Sequence, residues 1–244
     1  MKQKLLLIGG STAVGKSKFA LELSKKLKIE IISADSVQVY KELNIGTSKP
    51  TQEEEKICPH HLINIIDANQ TFNAFDFVTY ARTTIDEISS RKNLPVIVGG
   101  TGLYMEALLF AYNFKKEKQT QSSVYDYKLY VLNEDRQKLY EKINNRVDEM
   151  IKNGLVEEVK QLQERGIDKT SQCMQAIGYK EILSYLNGET DLQTAIEKIK
   201  QGTRNYAKRQ ITWFKHMDGK WFDIHTEWNE TINEIIGNYK KFAK

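Results

Sequence analysis

The chain has 244 residues, 40% of them hydrophobic and 28% charged, the balance of a soluble globular protein long enough for one large α/β domain. No apolar stretch approaches the about 20 residues needed to cross a bilayer, which excludes a helical membrane protein. Cys58 and Cys173 lie too far apart for a disulfide framework, so a reducing cytoplasm is expected, and a net charge of +4 is only mildly basic.

The N-terminus leads into a short apolar run, residues 5–8, which reads as a strand rather than a signal peptide. Residues 10–17 follow, GSTAVGKS: Gly10, Ser11, Thr12, Ala13, Val14, Gly15, Lys16 and Ser17. They fit the phosphate-loop pattern G-x-x-x-x-G-K-[ST] without mismatch, between a strand and the helical pattern of residues 16–27. Such a turn points backbone N–H groups at one spot. The helix dipole, the Lys16 charge and the Ser17 hydroxyl, a candidate Mg²⁺ ligand, add to it. The chain is therefore expected to bind a diphosphate or triphosphate.

Residues 30–33 read as the second strand, ending at Ala34-Asp35-Ser36. In a doubly wound sheet the ligand lies beyond the carboxyl ends of the strands, so Asp35 is placed to act as a general base or near Mg²⁺, unless it only forms a turn. Ser36, Val37, Gln38 and Tyr40 supply groups that could contact a base. Cys58, His60 and His61 lack the further ligands a zinc site needs; a turn before a strand-like stretch at 62–66 is the expectation.

A helix is expected over 75–91 and a buried strand over 94–98, closed by Gly99-Gly100-Thr101-Gly102. No acid ends this strand, which argues against an NTP-hydrolysing motor; the glycines would let backbone approach a ligand, and Thr101 offers a hydroxyl. A helix over 103–111 precedes a polar, aperiodic connection at 113–123. A strand is expected over 127–132, helices over 134–153, 155–165, 174–186 and 192–217, a short strand over 221–224 and a last helix from Thr231. The rhythm predicts a phosphate-loop-type parallel sheet with helices on both faces and a helical C-terminal part.

Between Lys198 and Lys220 seven lysines and arginines face one acid, Asp218, a local excess suited to a polyanion or to a solvated helix face. Within it lies TRNYAKRQITWF, residues 203–214. Arg204 is a candidate to pair with phosphate oxygens, and Lys208 and Arg209 with interleaved aromatics look like a nucleic-acid contact. Trp213 and Phe214 are expected to pack inward.

These segments, with PHHLINI (59–65), VGGTGLY (98–104), RVDEMIKNGLVEEV (146–159) and QAIGYKE (175–181), resemble the tRNA dimethylallyltransferase family, in order and over nearly the whole chain. The resemblance implies transfer of a dimethylallyl group from dimethylallyl diphosphate to N6 of the adenosine 3′ to a tRNA anticodon. It implies that the phosphate loop holds the diphosphate with Mg²⁺ at Ser17 and that Asp35 takes the proton. It implies that Thr101 and Arg204 act at the reacting centre, and that Asp35, Ser36, Val37, Gln38, Thr101, Lys208 and Arg209 contact the tRNA anticodon loop. A cytoplasmic monomer is expected. The sequence departs from the family in Ser11, Val14, Ser17 and Val37, and in one larger respect. Family members usually carry a helical insertion between GGTGLY and the strand before RVDEM, and the connection at 113–125 is too short to hold it, so residues 1–244 are expected to form a single transferase domain. The alternatives are an adenylate isopentenyltransferase acting on AMP, ADP or ATP, a small-molecule kinase, or an RNA-binding protein that has lost activity.

Overall fold

A computed structural model describes residues 2–110 and 122–242; Ala111 and residues 113–121 of the expected connection lie outside them. The described residues form one sheet of six strands: β1 (Lys4–Gly10), β2 (Ile29–Ala34), β3 (His60–His61), β4 (Leu94–Gly99), β5 (Asp126–Asn133) and β6 (Lys220–Asp223). Their order is β3-β2-β4-β1-β5-β6, and every pairing is parallel. Parallel strands need crossovers, so both faces are covered and the central strands are continuous apolar runs. In β1, Leu5 and Leu7 enter the core on one face while Leu6 and Ile8 enter the core on the other, all fully buried. The strand period of two thus builds both cores from one tetrapeptide.

The helices are α1 (Lys16–Ser24), α2 (Gln52–Ile57), α3 (Ala74–Ser90), α4 (Gly102–Leu109), α5 (Arg136–Lys152), α6 (Leu155–Glu164), α7 (Tyr179–Leu186), α8 (Leu192–Lys215) and α9 (Trp228–Asn238). Helix α3 is fixed at its start by a capping box of Asn73 and Asp76. Its apolar face, Phe77, Ala81, Ile85 and Ile88, joins the core that holds Leu5 and Leu7. Phe19 of α1 lies in the opposite core, stacked obliquely on Phe222 and edge-on to Trp228.

Four expectations shift. The helix expected over 174–186 is broken into a short 3₁₀ turn, Gln172–Gln175, and α7, because Gly178 takes φ = 100° and its N–H is capped by Glu181 at 2.8 Å. Residues 62–66 are not a strand: the edge strand is His60–His61, beside Ile31 and Ile32, and Leu62 and Asn64 turn the chain at φ of 61° and 58°. Helix α9 begins at Trp228, ahead of Thr231. Helix α2 was not expected, although Thr51 and Glu54 form a capping box visible in the sequence as T-x-x-E.

Glu30, on the same face of β2 as the core residues Ile32 and Ala34, is only 4% exposed and carries a dense set of partners. Its carboxylate accepts from Arg91 Nε and Nη2 at 2.9 and 2.7 Å and from Asn93 Nδ2 at 2.7 Å, and it bonds His61 Nε2 at 2.7 Å. Burial pushes the Glu30 pKa up, but these bonds outweigh it and hold the carboxyl down to about 2. His61 is thereby a strand-edge tie, and among the described residues no group of three or more His, Cys, Asp or Glu is placed to hold a metal. Because the folded state lowers this pKa, its stabilisation is complete above the ordinary carboxylate range and is lost as pH falls towards 2. Arg91→Ala is expected to destabilise the fold by about 1–3 kcal/mol, since it strips a buried carboxylate of two donors. Urea unfolding at pH 7 checks this, and the loss should shrink when unfolding is repeated below pH 3.

Candidate active site

Because β1, β2 and β4 run parallel, Gly10, Ala34 and Gly99 end at the same edge of the sheet. The loop after β1 turns through left-handed conformations at Ala13 and Gly15, φ of 63° and 103°, which bends successive amides into a cradle before α1. Gly10 is also required: at φ = 142° a Cβ would meet the Leu132 carbonyl oxygen at 3.0 Å.

Lys16 Nζ folds back over this loop and donates to the carbonyls of Gly10 and Ser11 at 3.0 and 2.7 Å. Desolvation, with help from the nearby Arg146 charge, pulls its pKa down to about 7, against the opposing pull of Asp35. A cavity of about 410 Å³ opens beside it, lined by Gly15, Lys16, Ser17, Lys49 and Gly100 among others. A second cavity of about 330 Å³ adjoins it, with apolar walls from Val37, Ile143, Val147 and Ile177 and polar groups from Ser36 and Arg209. The two share Thr12, Asp35, Thr47, Arg146 and Tyr206.

Asp35 follows β2 on this shared wall. Its Oδ1 accepts from the N–H groups of Val37 and Gln38 at 2.8 and 3.2 Å, so one oxygen forms the turn. Oδ2 takes no hydrogen bond within the described protein, so the turn-forming and the chemical readings of this residue coexist. Arg146, on α5, is partly buried and donates to Thr12 Oγ1 at 3.2 Å; desolvation pushes its pKa down and Asp35 opposes the shift. Tyr206, on α8, faces Asp35, Thr101, Gln210 and Arg209, and burial raises its phenol pKa. Thr101 Oγ1 is buried without a well-formed hydrogen bond.

Not every expected site residue arrives here. Arg204 donates to Asn144 Oδ1 and Gln201 Oε1, at 2.6 and 2.9 Å, and lines neither cavity. The arginine that reaches the shared wall is Arg146, which the sequence reading passed over. Its signal was its place between Ile143, Val147 and Met150, the buried face of α5. Gln38 bridges Ser33 Oγ and the carbonyls of Thr47 and Ser48, and so holds the loop over the first cavity. Arg209 lies over the Tyr206 ring, 5.6 Å from its centroid, at the second cavity. Lys208 lines neither cavity and interacts with Tyr140.

Gly99 and Gly100 line the first cavity, and the glycines at the end of β4 also serve close packing. A Cβ on Gly99 would sit 2.2 Å from the Ala34 carbonyl, one on Gly100 would sit 2.0 Å from Gln210 Nε2, and one on Gly102 would sit 2.2 Å from Trp213 Cδ1. They admit the neighbouring strand and α8. Phe214 packs inward as expected, whereas Trp213 remains 38% exposed.

A family model described as IPP transferase matches residues 38–123 and 112–217. The chain is 38% identical to the tRNA dimethylallyltransferase of Caldanaerobacter subterraneus subsp. tengcongensis over 315 aligned positions, covering 99% of this chain and 100% of that one. It is 40% identical to the tRNA dimethylallyltransferase of Exiguobacterium sibiricum, covering 91% and 90%. Among solved structures it resembles the tRNA isopentenylpyrophosphate transferase of Bacillus halodurans, with a TM-score of 0.91, 36% identity and 98% coverage of both chains. It also resembles a eukaryotic dimethylallyltransferase acting on tRNA, with a TM-score of 0.87, 26% identity and coverage of 97% and 80%.

The lowered Lys16 pKa gives a signed expectation. Above about pH 7 the lysine is increasingly neutral in the empty site, and a bound diphosphate restores its proton. Affinity for inorganic diphosphate should therefore weaken as pH rises from 7 to 9, by up to about tenfold per unit, with proton uptake on binding. Calorimetry in buffers of different ionisation enthalpy measures both, and Lys16→Met should remove the uptake. Equal uptake by wild type and Lys16→Met would overturn the assignment.

Proposed function

The chain belongs to the IPP transferase family, and from that premise we propose how its site performs the reaction of a tRNA dimethylallyltransferase. The observation that carries the reading is the wall shared by the two cavities, which sets a base, Asp35, and a cation, Arg146, between a phosphate-binding loop and an apolar chamber.

In this reading the diphosphate of dimethylallyl diphosphate lies in the loop, held by backbone N–H groups, Lys16 and Arg146. The adenine of a tRNA anticodon-loop adenosine, turned out of its stack, enters the second cavity. The N6 lone pair forms a bond to C1 of the allyl group as the C1–O bond breaks. The electron pair of that bond leaves on the diphosphate, and the N6 proton passes to Asp35 Oδ2. Fixed cations and amides stabilise the charge that grows on the leaving oxygens. Thr101 lines neither cavity, and its buried hydroxyl, facing Tyr206, would act on the centre only through that phenol. Arg209 and Ser36 meet the RNA at the mouth of the second cavity.

The donor set suits Mg²⁺. Ser17 and Glu54 line the first cavity and would hold the ion, since Mg²⁺ uses few protein groups and completes its shell with water and substrate phosphate, which leaves Asp35 Oδ2 for the proton. There it would neutralise charge on the diphosphate oxygens. The absence of a strand-end acid after β4 accords with a reaction that transfers no phosphoryl group. No described helix is long and apolar enough to cross a membrane.

Labelled dimethylallyl diphosphate with Mg²⁺ and either unmodified tRNA or AMP tests the reading. Label in tRNA is expected; label in AMP alone, or consumption of ATP without prenyl transfer, rejects it. Asp35→Ala should keep diphosphate binding while transfer falls by about 10²–10⁴-fold. A third comparison separates the two arginines. Arg146→Ala should lower kcat/KM by about 10²–10³-fold, the usual cost of losing a donor to developing charge. Arg204→Ala should lower it by less than about tenfold, because its two hydrogen bonds, to Asn144 and Gln201, lie outside both cavities. The reverse order would restore Arg204 to the reacting centre.

A further inference from the structure

Helix α8 touches the phosphate loop through one side chain that the reaction above does not use. Gln210 is 5% exposed. Its Oε1 accepts from the N–H of Thr12 at 2.8 Å, and its Nε2 donates to the carbonyl of Gly100 at 3.1 Å. One amide thus spans the loop after β1 and the loop after β4. A Cβ on Gly100 would lie 2.0 Å from Nε2, so the contact exists only because residue 100 has no side chain. The flanking residues of α8 are held the same way, Phe214 against Gly9 and Trp213 against Gly102.

The bond to Thr12 has a consequence beyond packing. The Thr12 N–H is committed to Gln210, and its hydroxyl, held at that orientation, accepts from Arg146. Gln210 therefore fixes Arg146 through one intermediate residue. On the same helix, Thr203, Tyr206 and Arg209 line the second cavity. Tyr206 lies one turn from Gln210 and faces it. The acceptor wall and the donor loop are joined at this amide.

We propose that Gln210 is a positioning residue that sets the phosphate loop and, through Thr12, the Arg146 guanidinium against the wall that receives the acceptor. The proposal rests on the transferase reading and concerns the donor half of the site. Gln210→Met keeps the volume and removes both hydrogen bonds, and Trp213→Ala perturbs the packing of the same helix without touching either bond. Inorganic diphosphate and unmodified tRNA serve as separate binding probes, each read by calorimetry, with kcat and KM for dimethylallyl diphosphate alongside.

For Gln210→Met the expected result is a loss of diphosphate affinity of about tenfold or more, the scale of a lost buried hydrogen bond, with a raised KM for the donor. Affinity for tRNA should stay within about threefold, a difference smaller than one hydrogen bond. Trp213→Ala should lower the Tm without that split. Gly100→Ala, which drives the unchanged glutamine from its place, should reproduce the loss and decides the matter if Gln210→Met does not fold. Unchanged diphosphate affinity in the glutamine variant, or equal losses for diphosphate and tRNA in all three variants, would overturn the proposal. Failure of the wild-type protein to bind diphosphate would instead reject the transferase reading beneath it.

Discussion

Helix α8 can lie against the phosphate-binding edge of the sheet only because Gly9, Gly100 and Gly102 leave room for Phe214, Gln210 and Trp213. Interiors are packed to crystal density, so a side chain at any of these glycines would lift the helix away. Two consequences follow from that close approach. The far face of the site is closed by Tyr206 and Arg209, which come from the same helix. The loop that holds phosphate is also braced from behind by an amide, and does not rely on its own turn geometry alone. Donor and acceptor halves are thus parts of one rigid unit, which a displacement at a saturated carbon needs, since the attacking and leaving atoms must be held in line.

The electrostatics of this unit are unbalanced in a useful direction. Lys16 and Arg146 are both desolvated, and both have depressed pKa values, with Asp35 as the acid that opposes the shifts. Two partly buried basic groups facing one carboxylate leave a site that lacks negative charge, which the proposed diphosphate would supply. The same arrangement suits Asp35 to the role of base proposed for it. Its Oδ1 is tied to two backbone amides, which fixes the carboxylate, while Oδ2 is left for a proton.

Much of this was legible in the sequence. The four central strands, the phosphate loop and Asp35 at a strand end follow from apolar runs, a fixed motif and the rule that ligands lie beyond strand carboxyl ends. What stayed hidden has a common physical form. Arg146 lies between Ile143, Val147 and Met150, and Gln210 between Ala207 and Phe214; each is a polar residue on the buried stripe of an amphipathic helix. Periodicity marks such a position as core, and only the folded contacts reveal that the core there opens on a cavity. Arg204 misled for the opposite reason. It sits in a motif rich in cations, but its helical phase carries it to Asn144 and Gln201. The glycines at the end of β4 border the first cavity, as Gly99 and Gly100, but their second role as sockets was not legible, because what a missing Cβ makes room for is set by tertiary neighbours.

The topology also bears on where the family varies. The alignment to the Caldanaerobacter enzyme spans 315 positions, 71 more than the 244 residues of this chain, and the family-model match divides over residues 112–123. Helix α4 starts beside the site, at Gly102, and runs back to Leu109, whose carbonyl accepts from Val124. Strand β5 then begins at Asp126, whose N–H bonds Gln3 at the start of β1. The chain therefore leaves and re-enters the sheet at its amino-terminal edge, the end opposite the phosphate loop. Among the described residues, none between 110 and 125 lines either cavity. Length added or removed at that edge leaves Lys16, Asp35, Thr101 and Arg146 in their places, because none of the contacts described for them passes through it.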